Sequence, residues 1–345
     1  MATMTLQFDD LLARTRAHCR EAAREASIPQ DRADAAWLDI HRHGQQRPEP
    51  RPITRTVREG ETIKFTMQLA DGHETESVIL PMQGRTGRPR TTLCLSSQVG
   101  CALGCGFCET AAMGLVRNLE PAEILDQWHA ARFRLDAKIT NIVFMGMGEP
   151  MENLDAVLAA IEVLTDRSGA GIPASRISVS TAGRIAGIDR YREFMSRDDF
   201  RQLRLAVSVN APNEPIRRDL MPITRAEPLE ELRQAMNRWL QCGGRTILVE
   251  YVLIPGVNDA DDHPAMLAAW LDGMDCRVNV IPYNPRRDSP WPAPDEAQVE
   301  QFIARLRDSG CHVNRRRTMG RDVMAACGQL GRPDIRRRVP LRIPS

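Results

Sequence analysis

The sequence predicts an α/β protein: an open (β/α)6 partial TIM barrel with a small N-terminal accessory domain of helices plus a β-hairpin. Three observations carry that expectation. From about residue 91 onward, six apolar runs alternate with helical patterns. Runs such as NIVFMG (141–146) and TILVEYVLI (246–254) are almost continuously apolar, as expected of parallel strands covered on both faces. Glycines and small polar residues recur where those runs end, which is where the loops of such a barrel converge.

Taken in order, residues about 8–27 and 31–43 read as two short helices. Leu11, Leu12 and an Ala-rich stretch lie in the first; Asp31 caps the second, which places Trp37 and Ile40 on one face. RPEPRPI (47–53) breaks helix and reads as a linker. Ile63, Phe65, Met67 and Leu69 then alternate with polar residues, and after Asp71-Gly72 a second run follows at 77–80, a hairpin signal. These pieces form an accessory domain over 1–85, followed by a core over 86–330 and a basic tail over 331–345. Core strands are expected at 91–96, 139–146, 176–181, 203–209, 246–253 and 276–281. Helices are expected at about 120–135, 152–165, 184–195, 229–241, 262–272 and 295–309.

Composition narrows the class. A chain of 345 residues, 42% hydrophobic and 26% charged, can bury a substantial core. No apolar run is long enough to cross a bilayer, and the N-terminus lacks the basic-then-apolar pattern of a secretory signal. Nine cysteines, an odd number with one tight cluster, favour a reducing cytoplasm over a disulfide framework. The net charge of +1 hides an uneven distribution, since residues 311–345 hold nine Arg and two Asp. Such a stretch suits a phosphate backbone, or is simply a solvated tail. Lysine occurs only at Lys64 and Lys138.

The chemistry concentrates in CLSSQVGCALGCGFCETAAMG (94–114). Cys101, Cys105 and Cys108 stand at C-x3-C-x2-C, and three thiolates within eight residues can converge on one centre. Four ligands would saturate a structural zinc or complete a four-cysteine iron–sulfur shell, and only three are local. The next histidine, His129, falls within an expected helix. The chemical reading is a [4Fe–4S] cluster with one iron open to a non-protein ligand; zinc or ordinary cysteines are the alternatives. The spacing is similar to that of radical S-adenosylmethionine (SAM) enzymes, in which the amino and carboxylate groups of SAM occupy that iron.

Other candidates lie at successive strand ends. GMGEP (146–150) offers close backbone approach at Gly148 and an ammonium acceptor in Glu149, or merely a tight turn. Ser178, Ser180 and Thr181, then Ser208, Val209 and Asn210, then Tyr283 and Asn284 offer small polar groups; singly, such residues cap or turn. Cys94, on the first core strand, and Cys327, in MAACGQ, read individually as small buried hydrophobes. So do Cys19, Cys242, Cys276 and Cys311. A nucleophilic sulfur needs its thiolate, which Arg321 or the 315–317 arginine run could favour.

CLSSQVGCALGCGFC, FMGMGEP, SVSTAG, AVSVNAPNEPIRRDLMPI, VEYVLIPGVND, IPYNP and DVMAACGQL resemble, in that order, segments of the RlmN/Cfr family of radical SAM RNA methyltransferases. The resemblance extends from near Glu76 to about Leu330. It implies a cluster on Cys101, Cys105 and Cys108, and SAM contacts at Gly148, Glu149, Ser180, Ser208, Val209, Asn210 and Asn284. It further implies that one SAM methylates Cys327 and that a second yields a 5′-deoxyadenosyl radical, which activates the S-methyl group for addition to an adenine carbon. Glu76 falls at the family's proton acceptor, and Cys94 at the thiol that forms a transient disulfide with Cys327. Without the family, Glu76 reads as an exposed strand-edge carboxylate. The implied substrate is an adenine (C2, or C8) in RNA, with rRNA favoured and tRNA the alternative; the implied partner is an electron donor such as flavodoxin or ferredoxin. The family has His where Asn210 stands and a longer N-terminal helical domain, which leaves the particular RNA open. Competing readings are a radical SAM enzyme acting on another substrate and a non-catalytic metal-containing RNA-binding protein.

Overall fold

The computed structural model describes residues 7–46, 49–83, 87, 89–316, 320 and 324–331. Three helices come first: α1 (Phe8–Leu12), α2 (Arg16–Glu25) and α3 (Gln30–His41). The single helix expected over 8–27 is split by Thr15, whose side chain accepts from the His18 amide and starts α2 afresh. Asp31 lies inside the first turn of α3 and Pro29 holds the cap position.

Strands β1 (Ile53–Glu59), β2 (Thr62–Gln68) and β3 (Glu74–Gln83) form an antiparallel meander. Then come β4 (Pro89–Cys94), β5 (Gln98–Gly100), α4 (Glu109–Ala112), β6 (Leu115–Asn118) and α5 (Pro121–His129), the last prolonged by one π-helical turn. The remainder alternates: β7 (Asn141–Phe144), α6 (Leu154–Thr165), β8 (Ile177–Thr181), α7 (Ile185–Met195) and β9 (Arg204–Ser208). After a short α8 (Glu214–Leu220) the order is α9 (Leu229–Gln241), β10 (Ile247–Leu253), α10 (His263–Leu271), β11 (Cys276–Pro282), α11 (Glu296–Asp308) and β12 (Val313–Arg315).

One ten-stranded sheet runs β1-β2-β3-β4-β7-β8-β9-β10-β11-β12, and β5 pairs with β6 separately. From β4 onward all neighbours are parallel and sequential. Six of these strands match the expected set, and β12 is a short seventh. The expected boundary near residue 85 falls between β3 and β4, which are hydrogen-bonded neighbours, so the hairpin continues the core sheet.

Sequential parallel order with right-handed crossovers puts the helices on one side. Leu93, Ile142, Phe144, Val179, Val207, Val249, Tyr251 and Val280 accordingly share one core with Ile161, Ile188, Trp239 and Phe302 of the helices. The expectation that helices cover both faces is therefore corrected. By alternation, the opposite face carries Cys94, Ser178, Ser180, Ser208, Glu250 and Asn279, and it lines the concave interior. Among the described residues, no helix is long and apolar enough to cross a membrane.

Candidate active site

The cysteine loop leaves the sheet just after β4 and is tied down at both ends. The Cys101 amide donates to Gly114 O (3.0 Å), the Cys108 amide to Cys105 O (3.1 Å), and the Gly106 amide to Leu220 O (2.9 Å). Arg286 Nε donates to Gly106 O at 2.9 Å. Burial pushes the Cys101 thiol up to about 12 and also raises Cys105 and Cys108; for Cys101 and Cys105 the neighbouring cysteines raise it further. The three sulfurs therefore sense one another. Among the described residues, however, no three His, Cys, Asp or Glu side chains are placed to share one metal ion. An all-thiol donor set spread over one loop fits a cluster, in which each cysteine takes a different iron.

The two glycines of GMGE lie against the chain leaving β4. A Cβ on Gly146 would come 2.6 Å from Ser96 Oγ, and one on Gly148 (φ +96°) would come 2.5 Å from Gln98 Cβ. This packing orients Glu149. Its amide donates to Gln98 Oε1 (2.8 Å), while its carboxylate accepts from the amides of Met151 (3.0 Å) and Ala182 (2.8 Å). Burial nevertheless pushes Glu149 up to about 7.

The other expected SAM contacts differ in what they expose. Ser180 and Ser208 are half-buried on the interior face. The Val209 side chain belongs to the helix-facing core, so only its backbone is available to a ligand. Asn210 sits at φ +56°, donates to Met221 Sδ (3.3 Å) and accepts from the Val252 amide (2.9 Å). Its carboxamide braces the turn after β9, a task for which Asn tolerates the left-handed conformation. Among the described residues, Asn284 Oδ1 and Ser178 Oγ are buried without a hydrogen-bond partner. Orphaned polar atoms of this kind fit a site built for a polar ligand.

Cys94 and the 324–331 segment meet in a small apolar cluster with Val78, Met113, Met147, Ala325 and Leu330. Burial pushes Cys94 up to about 12, and the Cys327 charge adds to the shift. The Cys327 segment rests on α4: the Glu109 amide donates to Gly328 O (2.7 Å) and Thr110 Oγ1 to Leu330 O (2.5 Å). Arg316 lies beside both thiols. Its pKa is raised first by Cys327, then by Glu250 and Cys94, and its Nη1 contacts Glu250 Oε2 at 3.4 Å. Arg315 instead pairs with Glu296 and Glu300. Arg317, Arg321 and the basic tail from 332 lie outside the described residues. All nine cysteines are free, so Cys94 and Cys327 are both thiols here and no disulfide joins them. Cys19 is buried as expected, whereas Cys242 is exposed, against its reading as a buried hydrophobe.

Glu76 is buried on β3, a central strand, which overturns its reading as an exposed edge carboxylate. Its Oε2 lies 2.8 Å from Lys64 Nζ. Sequence reasoning missed Lys64, although its rarity as one of two lysines was a signal. It missed Arg217 too. That buried guanidinium donates to Thr224 Oγ1 (2.8 Å) and to the carbonyl oxygens of Ala182 (2.6 Å) and Ser208 (3.4 Å), bridging two strand ends.

Comparison with known proteins places this geometry. The Radical SAM superfamily profile matches residues 95–267. A protein of Protochlamydia amoebophila named "Probable dual-specificity RNA methyltransferase RlmN 1" is 42% identical over 293 residues, covering 85% of this chain and 79% of the relative. "Dual-specificity RNA methyltransferase RlmN" of Halorhodospira halophila is 41% identical over 271 residues, 78% of this chain and 72% of that one. The crystal structure of a radical SAM methyltransferase from Sphaerobacter thermophilus superposes with a TM-score of 0.85 at 36% identity, covering 94% of this chain and 99% of that chain. Membership of the superfamily carries with it the use of SAM and an iron–sulfur group. With its cysteine loop, GMGE turn and paired distant thiols, the chain belongs to the RlmN family of radical SAM methyltransferases and is a methyltransferase.

Proposed function

We propose that the enzyme methylates an adenine carbon, C2 or C8, in RNA, with 23S rRNA the favoured substrate and tRNA the second, through an S-methyl intermediate on Cys327. One observation carries the reading. Two thiols remote in sequence, Cys94 and Cys327, both interact electrostatically with Arg316, and the segment bearing Cys327 packs against Cys94 and rests on Glu109, the residue after Cys108. A protein that only bound RNA would have no use for that pairing.

Cys101, Cys105 and Cys108 would hold a [4Fe–4S] cluster. Gly148, Glu149, Ser180, Ser208, Val209, Asn210 and Asn284 would hold SAM, with Glu149 accepting from its ammonium group. When bound, the cluster and SAM supply a 5′-deoxyadenosyl radical able to take hydrogen from a methyl group. Cys327 receives the methyl on sulfur and presents it to the base. Direct displacement on SAM is closed to an electrophilic aromatic carbon, which is why a protein sulfur carries the methyl. The Arg316 cation stabilises negative charge on either sulfur. Glu76 takes the proton from the adenine carbon. Cys94 joins Cys327 in a transient disulfide as the carbon–sulfur bond to the base breaks. The electron donor is of flavodoxin or ferredoxin type, and the reducing cytoplasm suits both cluster and thiols.

Mass spectrometry of reconstituted protein incubated with SAM should show one added methyl on Cys327. Nucleoside analysis of RNA from a deletion strain should show unmodified adenosine at one site, and the product standard that the parent strain's methylated nucleoside matches separates C2 from C8. If Cys327→Ala methylates RNA as well as wild type, the reading is wrong.

A further inference from the structure

Lys64 on β2 and Glu76 on β3 are diagonal neighbours across the strand pair, since Thr66 is opposite Glu76 and Lys64 opposite Val78. Their side chains are 8% and 5% exposed, and Nζ lies 2.8 Å from Oε2. Each partner also grips the segment that carries Cys327. Lys64 Nζ donates to Met324 O (2.8 Å), and Glu76 Oε2 accepts from the Gly331 amide (2.8 Å). The two contacts close on opposite ends of the same eight-residue stretch, 324–331. Across from them, Glu109 and Thr110 of α4 hold Gly328 and Leu330. Cys327 is therefore suspended between the cysteine-loop helix and one buried ion pair. The pair is costly to bury and hard to justify as simple stabilisation.

Resting on the proposed reaction, we propose that Lys64 is a positioning residue: with Glu76 it forms a latch that fastens both ends of the Cys327 segment and opens when Glu76 takes the substrate proton. The balance is simple. The proton leaves the adenine carbon, its bonding electrons stay with the ring, and the carboxylate becomes a neutral acid. The Lys64–Glu76 ion pair becomes a contact between an ammonium and a neutral acid, and the Gly331 amide faces a weaker acceptor, so the grip on the segment loosens. Cys327 must be held still while it presents its methyl and must then move to meet Cys94. A latch keyed to proton transfer puts those two demands in order.

Hydrogen exchange of the full chain, measured without RNA or SAM, tests this. Exchange of peptide 324–331 is compared with that of peptide 177–181 in β8. Lys64→Met and Glu76→Gln should each speed exchange of 324–331 by about tenfold or more relative to β8, as expected when a charged buried hydrogen bond is lost locally. Lys64→Arg, which still donates to both partners, should stay within about twofold of wild type. The latch is overturned if Lys64→Met leaves the ratio unchanged, or if both peptides speed up together. Because no substrate is present, the result stands apart from whether the protein methylates RNA, and a wild type that never methylates Cys327 sinks that reading without altering the exchange ratio.

Discussion

Cys94 and Glu149 show how burial acts on single side chains. The Cys94 thiol is pushed up to about 12, chiefly by burial and then by Cys327, with Arg316 and the Met145 amide pulling the other way. At pH 8 only about one molecule in ten thousand carries the Cys94 thiolate. Iodoacetamide should therefore leave Cys94 unlabelled in folded protein at pH 8 and label it fully after denaturation. Ready labelling of the folded state, read by peptide mass spectrometry, would contradict that picture. Glu149 gives a pH dependence with a definite sign. Its carboxyl is raised from 4.5 to about 7 by burial, so the folded protein retains a proton that the unfolded chain releases. The associated stability is fully present below about 4.5 and is lost as pH rises toward about 7, a change of up to about 3 kcal/mol. Urea unfolding of apoprotein at pH 5 and pH 7.5 should show that fall in wild type and a smaller one in Glu149→Gln. Equal pH slopes in the two proteins would show that Glu149 is not the titrating group.

At the level of elements, the GMGE turn is held by contact rather than by sequence propensity. An alanine at Gly148 would meet Gln98 Cβ at 2.5 Å and Gln98 N at 2.8 Å, at a φ of +96° that L residues avoid. Gly148→Ala should cost about 3 kcal/mol, combining backbone strain with a steric clash against β5. Thermal unfolding measures the loss, and an unchanged midpoint would mean that β5 yields at no cost. Elements with strong periodicity were legible in the sequence. The six long core strands and the helices between them fall close to their expected places, because each repeats an apolar pattern over a full element. The misses have physical causes. β1 reads ITRTVRE, exposes three consecutive residues and shows no apolar alternation, so the segment beginning at Ile53 looked like the end of a linker. β12 is only three residues long, too short for any pattern. At the site, the cysteines announced themselves by spacing. Arg316 stood in the sequence only as one of the 315–317 run, and Lys64 only as a rare lysine, because their meaning lies in contacts with Glu250 and Met324, partners that no local pattern can link.

Across the whole molecule, the N-terminal helices and the barrel share a single core. Trp37 and Leu12 are fully buried in the same cluster as Ile161 and Trp128 of the core helices. Trp37 stacks on His41 at 4.2 Å between ring centroids, and His41 faces Trp128 at 6.2 Å. Polar ties cross the same boundary: Arg51 reaches both Asp126 (2.7 Å) and Asp9 (3.0 Å), and the Arg16 amide donates to Asp166 (2.9 Å). An independent accessory domain would keep its own core and melt on its own; a cap on α5 and α6 would not. The second description fits these contacts, and the hairpin, paired strand to strand with β4, fits it equally. Trp37→Ala should then lower the stability of the entire protein by about 3–5 kcal/mol, the cost of emptying a buried aromatic site. Circular dichroism and exchange at β8 should report one shared, shifted transition. A variant that loses only the signal of residues 7–46, leaving β8 protection and the main transition in place, would show that the N-terminal helices fold apart from the barrel.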